Sequence, residues 1–247
     1  FSASQMEAYS KCPFMYFCRY GLGIESLQSA AFDTLQRGTI VHHVLQRIVE
    51  DYGKKISEFD EGKIVELIDK YTDEYLNMVV GYCDIETPYL KYLVTTIKRL
   101  LKYVVERLAL EFAQSEFEPV RCELGIGYEG GIPAINIPID DEVSLELIGK
   151  VDRVDTWNGY VRIIDYKTGS RAFQLPDILV GQNMQMLIYL YAISNSEEFG
   201  GNTAGILYMI AKRDKKKSKK DRRMNGLLAA NMDLITAMEQ KNNGPST

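Results

Sequence analysis

The dipeptide Asn158–Gly159 is the feature that most constrains the fold. It stands between two largely apolar segments, GKVDRVDTW and YVRIIDYKTG, and Asn-Gly in this setting strongly indicates a two-residue type I′ hairpin turn. Such a turn pairs Trp157 with Tyr160, and the register then places Asp152 directly opposite Asp165. The same register places Lys150 opposite Lys167. The hairpin is therefore expected to bring two carboxylates together.

The facing carboxylates predict a cation site. Directly opposed Cβ atoms in a sheet lie about 5 Å apart, and two carboxylates at that distance repel by about 3 kcal/mol at an effective dielectric constant near 20. A divalent cation turns this repulsion into attraction, and Mg²⁺ prefers carboxylate oxygens. Alternation along the strand places Lys167 on the face of Asp165, where its charge could stabilise a reacting phosphate.

The alternative is a solvated surface hairpin with mixed charges. Several neighbouring positions are too apolar for a free-standing ribbon, namely Leu147, Val151, Ile163 and Ile164. We therefore favour the cation site over the solvated hairpin.

Apolar periodicity divides the chain into a helical part and a mixed part. Residues at helical spacing predict helices over about 4–20, from near Gly38, over 61–80 and over 88–114. Alternating or continuous apolar runs predict strands over 120–128, 134–139, 145–155, 160–167 and 205–211, and the helical period returns over 177–193 and 225–241. We expect one domain over residues 1–247, helical over 1–114 and α/β over 115–247, cut from a longer chain.

The composition argues against several classes of protein. No apolar run reaches the roughly 18 residues of a membrane span, and the first residues lack the pattern of a signal peptide. Four cysteines in 247 residues are too few and too scattered for a disulfide framework. No GxxxxGK[ST] segment occurs, so we do not expect ATP hydrolysis by this chain. A cytoplasmic location is expected.

A net charge of −5 conceals one strongly basic segment, KRDKKKSKKDRR at residues 212–223. The segment carries nine basic and two acidic side chains, a net charge of +7, so the other residues carry −12. Such a run is either a solvated connector or a segment that attracts the phosphates of DNA. The candidate DNA-binding residues are Lys212, Arg213, Lys215, Lys216, Lys217, Lys219, Lys220, Arg222 and Arg223.

Three short motifs resemble the RecB-like branch of the PD-(D/E)xK nuclease superfamily. Asp152 followed by Asp165-Tyr166-Lys167 matches D…(D/E)xK, Gln185-Met-Leu-Ile-Tyr189 matches Q-x-x-x-Y, and RGTIVHH matches G-x-x-x-H. The segments FSASQMEAYSKCPFMYFCRYGL and MNGLLAANMDLITAMEQ are similar to the beginning and the end of the nuclease domain in B subunits of AddAB-type or RexAB-type helicase–nucleases. The resemblance thus covers nearly the whole chain.

The resemblance implies both a fold and an activity. The fold is a restriction-endonuclease-like α/β core, a mixed central sheet flanked by helices, with an N-terminal helical region. The activity is that of a divalent-metal-dependent exonuclease, which hydrolyses phosphodiester bonds of DNA in double-strand-break repair and recombination. The implied cofactor is Mg²⁺ or Mn²⁺, and the implied partner is a helicase–nuclease subunit of the AddA or RexA type.

The resemblance also assigns roles to residues. The implied metal ligands are His42, Asp152, Asp165 and the carbonyl of Tyr166, and the implied catalytic residues are Asp152, Asp165, Lys167, Gln185, Tyr189 and Glu123. Periodicity alone does not choose between His42 and His43, and the motif spacing selects His42. Glu123 occupies an acidic position one strand earlier, for which the alternative is a solvated side chain.

The cysteines depart from the pattern of the full-length relatives. Those proteins hold a 4Fe–4S cluster, to which Cys12 in the CPF motif would contribute one ligand and a cysteine-rich tail the others. This chain has no such tail, and Cys18, Cys83 and Cys122 lack the C-x-x-C spacing. We interpret these three as small buried apolar residues, and we expect a cluster in the full-length protein and not here.

Two other functions fit the same motifs. One is a stand-alone exonuclease of the Cas4 type, which also needs cysteines in its tail. The other is an inactive nuclease-fold module that binds only DNA or a partner subunit. An inactive copy would be expected to have lost Asp165 or Lys167, and both are present.

Overall fold

Helices form the first half of the chain, and a sheet with further helices forms the second half. The computed structural model describes residues 1–24, 34–80, 88–169, 174–199, 201–211 and 224–239. The helices are α1 (Ala3–Lys11), α2 (Pro13–Tyr16), α3 (Thr34–Tyr52), α4 (Glu61–Val80), α5 (Pro88–Gln114), α6 (Leu175–Ile178), α7 (Gln185–Ser194) and α8 (Met232–Met238). A π turn at Phe17–Gly21 follows α2, and a 3₁₀ turn at Gly53–Glu58 follows α3. The helices predicted over 61–80 and 88–114 are confirmed.

The strands form a mixed central sheet. They are β1 (Glu118–Ile126), β2 (Ile135–Pro138), β3 (Ser144–Leu147), β4 (Gly149–Trp157), β5 (Tyr160–Lys167), β6 (Asn202–Ile210) and β7 (Asn225–Leu228). In the described part of the chain, the main sheet has the order β1-β4-β5-β6-β7, and β2 pairs with β3 separately. The β5–β6 pair is parallel and its connection contains α7, whereas the other neighbouring pairs of the main sheet are antiparallel. The predicted fold class is confirmed.

The predicted hairpin forms with its predicted register at the turn. Asn158 and Gly159 both have positive φ, 46° and 77°, as a type I′ turn requires. The pairing of β4 with β5 runs from Trp157 and Tyr160 to Arg153 and Ile164. It ends one pair before Asp152 and Asp165, so the predicted direct pairing of these two residues does not occur. Instead, the backbone N–H of Tyr166 donates a hydrogen bond to Asp152 Oδ2 over 2.7 Å.

Helices cover both faces of the sheet. On one face, α3, α4, α5 and α8 share a core with Ile164 and Tyr166 of β5. On the other face, α1 and α7 share a core with Val161 and Ile163. Burial on both sides explains why β5 is apolar at successive positions instead of alternating with polar ones. None of the described helices is long and apolar enough to cross a membrane.

Three of the seven charged side chains of β4 and β5 belong to a buried ion network, which no sequence pattern predicted. Arg153 donates to both oxygens of Asp155 over 2.8 Å and to Glu111 over 2.9 Å. Arg162 donates to Asp155 Oδ2 and to Glu111. The guanidinium of Arg153 lies 4.8 Å from the ring of Phe112. Two cations and two anions thus neutralise each other beneath α5.

The network depends most on Asp155, whose carboxylate is fully buried. Burial alone would raise the pKa of this carboxyl, but Arg153 and Arg162 outweigh the burial and hold the pKa below its ordinary value. Asp155 is therefore ionised at neutral pH and compensates two buried guanidinium groups.

Three predicted elements differ in the structure. The strand over 145–155 is interrupted at Ile148, whose N–H donates to the carbonyl of Phe1 and not to a neighbouring strand. The helix over 177–193 is broken by a turn in which Gly181 and Asn183 have positive φ. The helix over 225–241 begins as β7, because NGLL pairs with the exposed edge of β6. In the first and third cases a tertiary contact overrides the local pattern.

We predict that Asp155→Ala lowers the free energy of unfolding by about 3–5 kcal/mol, because it leaves two buried guanidinium groups without the fully buried one of their two shared anions. Urea unfolding followed by circular dichroism measures the loss. Asp141→Ala, at an exposed site, is the control and should change stability by less than about 0.5 kcal/mol. A similarly small change in Asp155→Ala would contradict the proposed importance of the network.

Candidate active site

Side chains from α3, β1 and β4 converge where the β4–β5 pairing ends. His42, Glu123 and Asp152 each offer one ligand atom, and these atoms all lie within 4.8 Å of one another. His42 Nδ1 is 3.3 Å from Asp152 Oδ1 and 3.8 Å from Glu123 Oε1. His42 Nε2 is 2.8 Å from the carbonyl oxygen of Tyr166. Four of the residues singled out in the sequence thus meet at one point.

The imidazole of His42 carries its charge between two carboxylates. Burial alone would lower the pKa of His42, but hydrogen bonds to Asp152 and Glu123 outweigh the burial and raise it to about 10. The imidazole is therefore protonated at neutral pH. A metal ion that binds it must displace this proton, so metal affinity depends on pH.

Asp165 and Lys167 form the second half of the site. Lys167 Nζ lies 3.0 Å from each carboxylate oxygen of Asp165, and the geometry makes a hydrogen bond to Oδ1. Among the described residues, Oδ2 of Asp165 is buried and accepts no hydrogen bond. Burial and the charge of Asp152 raise the pKa of Asp165 to about 6, and Lys167 and His42 reduce this rise without cancelling it. The repulsion expected between the two aspartates is thus present.

The donor set fits a divalent cation. Carboxylate and carbonyl oxygens suit hard cations such as Mg²⁺, and an imidazole suits the slightly softer Mn²⁺. Neighbouring ligands of an octahedral Mg²⁺ lie about 3 Å apart, close to the 3.3 Å between His42 Nδ1 and Asp152 Oδ1. The buried, unbonded oxygen of Asp165 is a further acceptor that a cation would satisfy.

Glu123 enters this cluster through a strained backbone. Its φ is +51°, a left-handed conformation inside a strand that costs a residue other than glycine about 1–2 kcal/mol. The conformation directs its carboxylate toward His42, and Lys150 Nζ lies 2.6 Å from Glu123 Oε2. Strain of this kind concentrates at functional sites.

The comparison with known proteins decides the family. A model of the PD-(D/E)XK nuclease superfamily matches residues 1–243. The chain belongs to the PD-(D/E)XK nuclease superfamily. Nucleases of this superfamily use divalent metals, in agreement with the donor set of His42, Glu123 and Asp152.

Individual relatives are components of helicase–nucleases. The chain is 31% identical to the B subunit of an ATP-dependent helicase/deoxyribonuclease from Clostridioides difficile, over 97% of its own length and 23% of the relative. It is 34% identical to the protein of the same name from Clostridium tetani, over 84% of its length and 19% of the relative. The chain therefore spans about a quarter or less of these curated relatives.

The two residues of the Q-x-x-x-Y motif in this PD-(D/E)XK chain lie on α7, next to β4. Gln185 Nε2 donates to the hydroxyl of Tyr189 over 3.3 Å. The buried Tyr189 ring packs on Gly149, where an added Cβ would lie 2.2 Å from the ring. Glu7 of α1 accepts hydrogen bonds from the backbone N–H groups of Met184 and Gln185, over 3.1 and 3.4 Å. These contacts fix the start of α7 against the strand that carries Asp152.

The structure separates the two neighbouring histidines. His42 faces the carboxylates, whereas His43 Nε2 lies 4.0 Å from Glu74 and its ring lies beside Tyr75. Burial lowers the pKa of His43. Consecutive helical residues point about 100° apart, so one of the pair turns toward the sheet and the other toward α4.

Two residues of the site were not predicted from the sequence. Lys150 stands two positions before Asp152, and strand alternation could have placed it on the same side. Tyr208 of β6 lies opposite Asp165 in the parallel register of β5 and β6. No local motif marks Tyr208, because its place follows from the pairing of strands that are distant in sequence.

The predictions for the cysteines are tested only in part, and the prediction for the basic segment is not tested. Cys12 Sγ accepts a hydrogen bond from the N–H of Met15 over 3.5 Å at the start of α2. Cys18 and Cys122 are partly buried, in contrast to the full burial expected, and burial raises the pKa of Cys122 to about 12. Cys83 and the basic segment 212–223 lie outside the described residues.

We predict that Glu123→Gly is more stable than Glu123→Ala by about 0.5–1 kcal/mol, since glycine adopts a positive φ without the cost paid by alanine. Both variants lose the carboxylate equally, so their difference isolates the backbone strain. Denaturant unfolding of the two proteins measures it. At Arg121, a described position of β1 without positive φ, the order should reverse. Greater stability of Glu123→Ala would contradict the strain.

Asp165 should make stability depend on pH. Its pKa of about 6 in the folded protein exceeds the ordinary 3.8, so its favourable contribution is complete below about pH 4 and is lost as pH rises through 6. We predict that Asp165→Asn, without metal, raises the melting temperature more at pH 8 than at pH 5. Asp141→Asn, at an exposed site, should shift it equally at both values. An equal shift in Asp165→Asn would contradict the burial effect.

Proposed function

We propose that this chain is a divalent-metal-dependent DNA exonuclease domain of a longer, cytoplasmic helicase–nuclease that acts in double-strand-break repair and recombination. The observation that carries the proposal is the convergence of His42, Glu123 and Asp152 beside the Asp165–Lys167 pair. The relatives are named as helicase/deoxyribonuclease components, and this name supports DNA as the substrate. The implied partner is a helicase–nuclease subunit of the AddA or RexA type.

The residues that would hold the cation are His42, Asp152, Asp165 and the carbonyl of Tyr166, with Glu123 as a further acidic neighbour. A bound Mg²⁺ or Mn²⁺ supplies Lewis-acid stabilisation of phosphate charge and activation of a water molecule. The carboxylates favour Mg²⁺, and the imidazole makes Mn²⁺ an effective substitute.

Lys167 is the proposed catalytic lysine. Its side chain is 40% exposed while Asp165 is almost enclosed, so the ammonium group lies between the buried carboxylate and the solvent from which DNA arrives. There it can offset the charge that develops on the phosphate as water attacks phosphorus and the 3′ oxygen leaves. Asp165 holds the ammonium within reach of that phosphate.

The basic segment 212–223 is proposed to attract the DNA backbone. It follows β6 and the described residue Ala211, so it begins one residue beyond the strand that carries Tyr208. Phosphate contacts of this kind position a nucleic acid without selecting its sequence. Affinity for DNA should therefore weaken steeply as salt rises.

The test is cleavage of an end-labelled single-stranded oligonucleotide with and without Mg²⁺. We predict metal-dependent cleavage by the wild type and none by Asp165→Asn. Lys167→Ala should lose about 10²–10³-fold in kcat, as expected for a group that stabilises transition-state charge, yet still bind Mn²⁺ in calorimetry because the lysine is not a ligand.

Lys63→Ala is the matched control, because Lys63 also pairs with a carboxylate, Glu66, over 2.9 Å on the exposed surface of α4. It should cleave like the wild type. Loss of Mn²⁺ binding in Lys167→Ala would instead make the lysine an organiser of the site. DNA binding by the wild type without metal-dependent cleavage would favour the inactive binding module.

A further inference from the structure

Tyr208 stands beside the candidate catalytic pair on the neighbouring strand. In the parallel register of β5 and β6 it pairs with Asp165, and paired residues of adjacent strands point to the same face. Both residues are 7% exposed. The Tyr208 ring therefore lies next to the Asp165 carboxylate and encloses it from the side of β6.

The same ring approaches Lys167. The ammonium nitrogen of Lys167 lies 5.8 Å from the centre of the Tyr208 ring, within the roughly 6 Å over which a cation and an aromatic face attract. The ammonium thus contacts both the Asp165 carboxylate, at 3.0 Å, and the ring. One ion pair does little to fix the position of a long, partly exposed side chain. The contact with the Tyr208 ring therefore matters for the position of the Lys167 ammonium group.

Electrostatics keep this ring neutral. Burial raises the pKa of Tyr208, and the charges of Asp165 and Glu7 raise it further. Tyr208 thus presents an uncharged aromatic ring to Lys167.

We propose that Tyr208 is a positioning residue for Lys167, whose ammonium group its ring holds beside Asp165 and directed toward the scissile phosphate. The inference rests on the proposed nuclease function and deepens it, since it adds to the site a residue outside the D…(D/E)xK and Q-x-x-x-Y motifs. The ring, and not the hydroxyl, is the part that acts.

Two variants separate the ring from the hydroxyl in the cleavage assay with Mg²⁺. Tyr208→Phe keeps the ring and should keep kcat within about threefold of the wild type, whereas Tyr208→Leu should lose about tenfold in kcat. KM should change less than about twofold in both, because the ring affects the lysine and not the binding of DNA. Tyr191→Leu, which removes an exposed ring from α7, is the control and should leave kcat unchanged.

A second measurement needs neither metal nor activity. Lysine side chains carrying ¹³C-methyl groups report a nearby ring through their NMR shifts, and Lys167→Arg assigns the signal of Lys167. An upfield shift should be present in the wild type and Tyr208→Phe and absent in Tyr208→Leu. Thermal melts establish that the variants are folded, and if Tyr208→Leu is not, Tyr208→Met takes its place as the variant without a ring.

The outcomes distinguish this inference from the proposed function. A Lys167 signal without the shift in the wild type, or a loss of kcat in Tyr208→Phe as large as in Tyr208→Leu, would overturn the positioning role. An inactive wild type would refute the proposed function, while the NMR measurement would still decide whether the ring contacts the lysine.

Discussion

The hydrogen bond from the backbone of Tyr166 to Asp152 lies where the pairing of β4 with β5 ends and the candidate site begins. On the turn side of this bond, β4 and β5 pair regularly. At the end of this pairing, the Asp152 carboxylate accepts a hydrogen bond from the backbone N–H of Tyr166 in the neighbouring strand. Tyr166 also contacts His42 through its carbonyl oxygen and Arg153 through its hydroxyl. One residue therefore connects the strand pairing, the candidate ligands and the buried ion network.

Strand alternation sorts the charges of the hairpin into two groups. Arg153, Asp155 and Arg162 point toward α5, where complementary partners neutralise them in the dry interior. Asp165 and Lys167 point to the opposite face, where the carboxylate is enclosed but its repulsion by Asp152 is not fully cancelled. The first group holds the hairpin in place against α5. The second leaves negative charge that the neighbouring cations do not fully compensate. A buried network is weak evidence of stability in itself, but here it supports the strands that carry the site.

Prediction from the sequence succeeded where a local rule was sufficient. The Asn158–Gly159 turn set the register near it, and apolar periodicity predicted α4 and α5 with their observed bounds. Prediction failed where distant segments decide, as in β7, which pairs with an edge that helical periodicity does not reveal. At the site, motif spacing identified His42 and Asp152, which the structure brings together. The place of Tyr208 follows from the pairing of β5 with β6, and no local pattern encodes it or the left-handed backbone of Glu123.

The hydrogen bonds that Glu7 accepts from α7 have a consequence for the order in which the chain can fold. They join residues 177 positions apart in the sequence, and the contact of His42 with Tyr166 spans 124. Contacts of such long range form slowly, because closing a long loop costs entropy before the contact contributes favourable free energy. Helices α3, α4 and α5 can pack together from nearby segments, whereas the site needs α3 to meet strands that follow much later in the sequence. During synthesis, α1 is therefore made well before α7, and it can meet α7 only after the intervening helices and strands have been made.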